Sequence, residues 1–154
     1  MTQAIIAPKT SLYDHDYLLW TVETVAKLKA RDFNQVDIEN LIEEIESLGR
    51  SEKKEIKSRL TVLLEHLMKR MYVVDMPDCF GGWVNTIYTQ RNDIELTMMD
   101  SPSLKSLWDE SFDVAFKLAL RTVRKQYKSV KFPDSWQFNR DIDTMLNIDF
   151  WVDL

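Results

Sequence analysis

The chain has 154 residues, of which 45% are hydrophobic and 29% charged, and its net charge is −5. This length suits one domain, and this composition is too apolar for a disordered chain. A single cysteine excludes an internal disulfide framework and a cysteine-rich zinc site, and 3 glycines leave no phosphate-binding loop. No apolar run approaches the ~20 residues of a membrane span, and the N-terminus does not resemble a signal peptide, so we expect a cytoplasmic protein with no membrane contact.

The first half of the chain is predicted to contain a flexible N-terminal tail at residues 1–10 and then three helices. Asp14 caps the first helix, whose apolar face consists of Leu18, Val22, Val25 and Ala26. Asp37 caps the second helix, and Gly49 is expected to end it in a left-handed turn. Ser51 begins the third helix, so the second and third helices should form a hairpin with facing apolar stripes.

The middle of the chain is predicted to contain one loop and two further helices. Residues 73–82, VVDMPDCFGG, are rich in turn residues and indicate a loop. A helix follows over residues 83–99. Ser101 and Pro102 then indicate the start of another helix, which continues to about Tyr127.

The end of the chain contains one short helical candidate, residues 141–146. An apolar segment at residues 148–152 follows, and we expect it to fold back as a lid. No alternating strand pattern of useful length occurs. The sequence therefore predicts an all-α fold: one domain, residues 11–154, built as a helical bundle of about five helices with a short C-terminal lid.

Four glutamates on the second helix raise the question of a metal or substrate site. The apolar stripe of this helix consists of Ile38, Leu41, Ile42, Ile45 and Leu48. At 100° per residue, Glu39, Glu43 and Glu46 lie about 130° from the centre of that stripe, so we expect them to be solvated. Glu44 and Glu46 border the stripe and are placed to reach a neighbouring helix. With 2 histidines and no Glu-x-x-His pair, we expect no metal and no cofactor.

Three basic side chains are placed to join these glutamates in a polar cluster. His66 is either a ligand or acid–base group, or a border histidine bonded to a carboxylate or carbonyl. Arg91 lies about 50° from the middle of its helix's apolar face, and an unpaired buried charge is costly. We therefore expect Arg91 to pair with Glu44 or Glu46, with snorkelling to water as the alternative. The candidate cluster consists of Glu43, Glu44, Glu46, Arg59, His66 and Arg91.

Two features suggest partner binding. The segment RTVRKQYKSVK, residues 121–131, ends a helix with a group of basic residues: Arg121, Arg124, Lys125, Lys128 and Lys131. Such residues also favour the C-terminal end of the helix dipole, and the acidic chain as a whole disfavours nucleic acid. Trp20 lies opposite the apolar face of its helix and Trp151 is near the C-terminus, so each is a candidate exposed anchor for a protein partner.

The chain contains, in order, LYDHDYLLW, VDIENLIEEIESLGRSEKKEIKSRLTVLLEHLMKRMY, WVNTIYTQRNDI and DSPSL. These segments resemble a bacterial family that is numbered twenty-nine among domains of unknown function and is abundant in cyanobacteria. The resemblance covers about residues 12–150 and implies a small, cytoplasmic, single-domain helical protein with no established activity, cofactor or substrate. This chain has Arg70 where the family often has tryptophan. The family's recurrent positions correspond here to Asp16, Trp20, Asn40, Glu43, Glu44, Glu46, Gly49, His66, Lys69, Trp83 and Arg91.

The sequence favours a binding module over an enzyme. In this interpretation, the protein recognises a macromolecular partner through Trp20, Arg121, Arg124, Lys125 and Lys128. The alternative is an enzyme or metal-dependent site built from the polar cluster. A third interpretation, nucleic-acid binding through residues 121–131, rests on one basic helix end in an acidic protein.

Overall fold

The computed structural model describes residues 11–153. Within this range the chain forms six α-helices and three short 3-10 helices and contains no strand, which confirms the prediction of an all-α fold. The α-helices are α1 (Leu12–His15), α2 (Tyr17–Lys29), α3 (Ile38–Tyr72), α4 (Phe80–Asp100), α5 (Trp108–Gln126) and α6 (Ile142–Asn147). None of these described helices has both the length and the apolar character needed to cross a membrane. The predicted flexible tail at residues 1–10 lies outside the described residues.

The chain divides into two compact units, Met1–Arg50 and Ser51–Leu154, and the division falls inside α3. Among the described residues, the first unit contains α1, α2 and the beginning of α3. The second unit contains the remainder of α3 together with α4, α5 and α6.

The helix α2 begins later than predicted. Its N-cap is Asp16, whose carboxylate accepts a hydrogen bond from the Leu19 backbone N–H at 3.0 Å. Asp14, which was predicted to be the cap, lies inside the one-turn helix α1 and accepts a hydrogen bond from the Ser11 hydroxyl at 2.9 Å. Of the two nearby aspartates, Asp16 therefore caps α2, because it directly precedes this longer helix.

The buried face of α2 is not the predicted one. Trp20 is only 5% exposed, whereas Leu18 and Val22 are 73% and 58% exposed. The Trp20 ring packs edge-on against Tyr13, with 4.8 Å between ring centroids. An indole buries far more area than a valine or leucine, so aromatic packing outweighs the aliphatic stripe. The prediction of Trp20 as an exposed anchor is therefore wrong.

One long helix, α3, occupies the place of the predicted hairpin. It runs from Ile38 to Tyr72, so the prediction of two helices separated at Gly49 is wrong. Gly49 does not adopt the positive φ of a left-handed cap. A glycine inside a helix costs about 1 kcal/mol, which the strong helix formers on both sides of it offset. Arg50 adds an ion pair with Glu43, at 2.8 Å, that spans the glycine.

The second unit is built around the apolar face of α3. Its buried cluster contains, from α3, α4 and α5, the side chains of Ile56, Leu60, Leu63, Leu64, Leu67, Ile87, Ile94, Phe112, Ala115 and Ala119. The C-terminal segment closes this core, as predicted: Met145 of α6 and Phe150 are buried in the same cluster. Trp151, the other candidate anchor, packs against the core as a partly buried side chain, whereas Val152 is 66% exposed.

The boundaries of α4 and α5 also differ from the predicted ones. The helix α4 begins at Phe80, so Gly81 and Gly82 lie in its first turn rather than in a loop. The helix α5 begins at Trp108, after a 3-10 helix over residues 102–107. Ser101 is the N-cap residue of this 3-10 helix, and Pro102 lies in its first turn, as predicted, but the Ser101 hydroxyl donates to the Glu52 carboxylate at 2.9 Å and makes no capping bond to the helix.

The continuity of α3 predicts that Gly49→Ala stabilises the protein. A Cβ added at Gly49 meets no atom within 4 Å, and the backbone there has no positive φ. Alanine should therefore raise the free energy of unfolding by about 0.5–1 kcal/mol, measured by urea denaturation. Destabilisation by the same substitution would show that Gly49 ends the helix in a left-handed turn.

Candidate functional site

Arg91 of α4 anchors the C-terminal segment of the second unit. Its side chain is 5% exposed, and its three nitrogen donors all have acceptors. The acceptors are the Met145 carbonyl at 2.9 Å from Nε, the Asp149 carboxylate at 2.8 Å from Nη1, and the Ile148 carbonyl for Nη2. The prediction that this guanidinium is paired is confirmed, but the partner is Asp149 and not Glu44 or Glu46. Helical spacing cannot indicate a partner that lies 58 residues away in the sequence.

Glu44 joins the three helical segments of the first unit. Its carboxylate accepts hydrogen bonds from the phenol of Tyr13, at 2.9 Å, and from the phenol of Tyr17. These bonds raise the pKa of both tyrosines, because a phenol that donates to a carboxylate keeps its proton. Since Tyr13 lies in α1 and Tyr17 in α2, Glu44 holds both helices to α3.

The other glutamates of this segment lie on the solvent side of α3. Glu39, Glu43 and Glu46 are all exposed, as predicted. Arg50 pairs with Glu43 at 2.8 Å and with Glu46 at 3.8 Å. Exposed pairs of this kind contribute little to stability, and one arginine between two glutamates leaves this side of the helix with a net negative charge.

Arg59 and His66 have partners within the second unit. Arg59 pairs with Glu55 and with Asp93, both at 2.9 Å. His66 Nδ1 lies 2.8 Å from the Val62 carbonyl, and since a carbonyl only accepts, Nδ1 carries the proton. His66 is thus the border histidine bonded to a carbonyl. Among the described residues, no group of three or more His, Cys, Asp or Glu side chains is arranged to hold a metal ion.

The environment of His66 disfavours its charged form. Burial lowers its pKa, and the nearby Lys69 ammonium lowers it further, while the bond to the Val62 carbonyl acts in the opposite direction. The neighbouring Glu65 carboxyl has a raised pKa, again chiefly because of burial. These shifts arise from desolvation within a helical face, and each residue of the predicted polar cluster thus has a local structural role.

An apolar stripe on α3 changes from exposed to buried along the helix. In the first unit, Ile42, Ile45 and Leu48 are 50%, 59% and 61% exposed. In the second unit, Ile56 and Leu60 are 1% and 0% exposed. Ile56 follows Ile45 by about three helical turns, so the two parts have the same helical phase, although residues 49–55 between them contain no apolar side chain. The sequence analysis assigned both parts to the core, so it missed an exposed apolar surface in the first.

The basic residues predicted for partner binding line a groove along α5. The groove has a volume of about 590 Å³ and is lined by Arg121, Arg124, Lys125 and Lys128. Five further lining residues were not predicted from the sequence: Asp113, Phe116, Lys117, Leu120 and Asp134. The missed signal is a spacing of three or four residues that continues the basic face toward the beginning of α5.

These features define the described part of the chain as an all-α protein with an exposed apolar stripe on α3 and a basic groove along α5. It belongs to the family described as Domain of unknown function DUF29, whose model matches residues 12–151. Comparison with curated proteins and with solved structures gave no match in either case. This match confirms the family that the sequence motifs indicated, and the family itself has no known function.

The contacts of Arg91 predict that Arg91→Ala strongly destabilises the second unit. The substitution leaves the Met145 and Ile148 carbonyls and the Asp149 carboxylate without their donor, and it should lower the free energy of unfolding by about 3 kcal/mol. Arg59→Ala is the control, because that arginine is paired in a partly exposed site and its loss should cost about 1 kcal/mol or less. Equal losses in urea melts of the two variants would contradict the anchoring role.

The lowered pKa of His66 predicts a loss of stability in acid. The unfolded chain, with a histidine pKa near 6.5, binds this proton more readily than the folded protein, so stability falls as pH drops below that value. Above it the ring is neutral in both states and has no effect. In urea melts at pH 7.5 and 5.5, His66→Gln should lose less stability than the wild type. Since the raised Glu65 pKa acts with opposite sign in both proteins, their difference isolates His66, and an identical loss would contradict the prediction.

Proposed function

We propose that this protein is a protein-interaction module whose first unit receives a helix from a partner on the apolar stripe of α3. The observation that carries the proposal is the exposure of Ile42, Ile45 and Leu48, each at 50% or more. An apolar surface of this kind is costly to leave in water and is typical of an interaction site.

The geometry of the stripe suits a helix. Ile38, Ile42 and Ile45 recur at the spacing that places side chains on one face, and Ile38 is itself 47% exposed. From Ile38 to Leu48 the stripe extends for about 15 Å, which is about three turns of a partner helix. Helix-in-groove recognition uses the same spacing of apolar anchors in the bound helix.

The charges beside the stripe indicate a basic partner. Glu39 and Glu46 are the helix neighbours of Ile42, three residues before it and four after it, and both are exposed. Lysine or arginine residues beside the apolar face of the partner would meet these carboxylates. A second copy of the stripe would instead bring two rows of glutamates together, and like charges at an interface are repulsive. We therefore propose a basic amphipathic helix as the bound element.

No observation among the described residues favours the enzymatic alternative, because the candidate polar residues have local structural partners. The proposed setting is the bacterial cytoplasm, which the family resemblance and the single cysteine support.

A labelled peptide tests the proposal. The probe is a helix-forming peptide with leucines at helical spacing and lysines beside them, and its binding is measured by fluorescence anisotropy. The double variant Ile42→Ser, Ile45→Ser should weaken binding by about tenfold or more, because each isoleucine loses most of its apolar contact. Circular dichroism should show an unchanged helix content, since both side chains are exposed.

Leu96→Ser is the matched control, because Leu96 is a 58% exposed leucine on α4. It should leave the affinity for the basic peptide unchanged. Equal affinities of the wild type and the Ile42, Ile45 double variant would refute the proposal. Self-association that the same double variant abolishes would refute the choice of a basic partner.

A further inference from the structure

The groove of the second unit has an apolar floor. Leu120 is only 8% exposed, and Phe116 is partly buried beside it. The Phe116 ring stacks on Phe112 with 6.3 Å between centroids and meets Trp136 edge-on at 6.4 Å. Neighbouring aromatic rings therefore hold this floor in place, and it is recessed rather than protruding.

The rim of the groove is cationic and largely uncompensated. Its two acids already have partners, since Asp134 pairs with Arg124 at 2.6 Å and Asp113 pairs with Arg140 at 2.7 Å. Four further cations line the groove, and within the described residues none of them forms an ion pair: Lys117, Arg121, Lys125 and Lys128. An anionic ligand would meet positive charge that the protein itself does not neutralise.

An apolar floor between unpaired cations matches a ligand that is apolar on one side and acidic along its edges. From Phe116 to Lys125 the lining residues of α5 extend for about 14 Å, or roughly two and a half turns of a bound helix. We propose that this groove binds an acidic amphipathic helix of a protein partner. The site is distinct from the stripe on α3, which is bordered by glutamates and selects a basic helix.

Two other ligands fit the groove less well. A membrane surface binds apolar side chains that project into it, whereas Leu120 lies at the bottom of the groove. Nucleic acid recognition relies on phosphate contacts and, for single strands, on exposed aromatic rings that stack with bases. Phe116 is partly buried and contacts both Phe112 and Trp136, so it is not an exposed ring of that kind.

The test uses the full chain and three labelled peptides of about fifteen residues, each long enough for about four helical turns. The first peptide has leucines at helical spacing with glutamates beside them. The second replaces the leucines by serine and keeps the glutamates, and the third replaces the glutamates by lysine. Anisotropy titrations at low salt should show tight binding of the first peptide and at least tenfold weaker binding of the second.

Two double variants of the protein locate the site of this binding. Arg121→Glu with Lys125→Glu reverses two exposed charges of the rim and should weaken binding of the acidic peptide by at least tenfold. Lys53→Glu with Lys54→Glu makes the same change in net charge at exposed positions of α3 outside the groove, and it should have a much smaller effect. Binding of the lysine peptide should respond to neither, because it belongs to the other surface.

Several results would overturn the proposal. Equal binding of the leucine and serine peptides would reduce the groove to a simple anion site. Tighter binding of a single-stranded DNA of similar length, or of phosphatidylglycerol vesicles, would assign the groove to another class of ligand. Self-association abolished by the Arg121, Lys125 double variant would make a second copy the occupant. Failure of the acidic peptide to bind, with the lysine peptide still bound, would reject this groove while leaving the proposed function intact.

Discussion

The second unit depends on the burial of one face of α3. Leu60, Leu63, Leu64 and Leu67 are all 0% exposed, and burying each such side chain stabilises the fold by about 1.5–3 kcal/mol. The helices α4 and α5 and the C-terminal segment supply the surfaces that cover this face. Arg91 then fixes the C-terminal segment through its three acceptors. Loss of any covering element would expose the leucines, so these contacts form one cooperative structure.

The same helix has no such cover at its beginning. Ile42, Ile45 and Leu48 form a separate apolar stripe there, and each of them is half exposed or more. In the first unit, α1 and α2 are held to α3 by a different set of contacts, the hydrogen bonds from Tyr13 and Tyr17 to Glu44. These bonds are made by aromatic and polar side chains, and the aliphatic side chains of the stripe lie on the surface. This division of roles is the physical basis of the proposed interaction stripe.

The sequence predicted the fold class and the cores of α4 and α5 because strong helical periodicity reports a buried face. It failed where two faces of one helix compete. On α2, periodicity favoured Leu18 and Val22, but Trp20 is buried because a single indole contributes more contact area. The predicted helix end at Gly49 was wrong for a related reason. Glycine permits a left-handed cap but does not require one, and the residues on both sides of Gly49 favour a helix.

The candidate site was harder to predict than the fold. Arg91 was expected to be paired because of its place on an apolar face, yet its partner lies in the C-terminal segment and depends on tertiary structure. The basic residues at the end of α5 were identified from composition, while Phe116 and Leu120, which precede them on the same helix, were not assigned to any surface. The two surfaces carry charges of opposite sign, with glutamates beside the stripe and cations along the groove. Each surface therefore disfavours the partner that would suit the other.

Amide hydrogen exchange along α3, followed by mass spectrometry, tests the central claim most directly. The account predicts that amides of residues 56–71 exchange only through global unfolding, since their side chains form the core of the second unit. Amides of residues 38–48 should exchange at least about tenfold faster through local opening, because the stripe there lacks apolar cover. Equal protection of the two segments would show that the beginning of α3 is buried as firmly as its end, and would contradict the account.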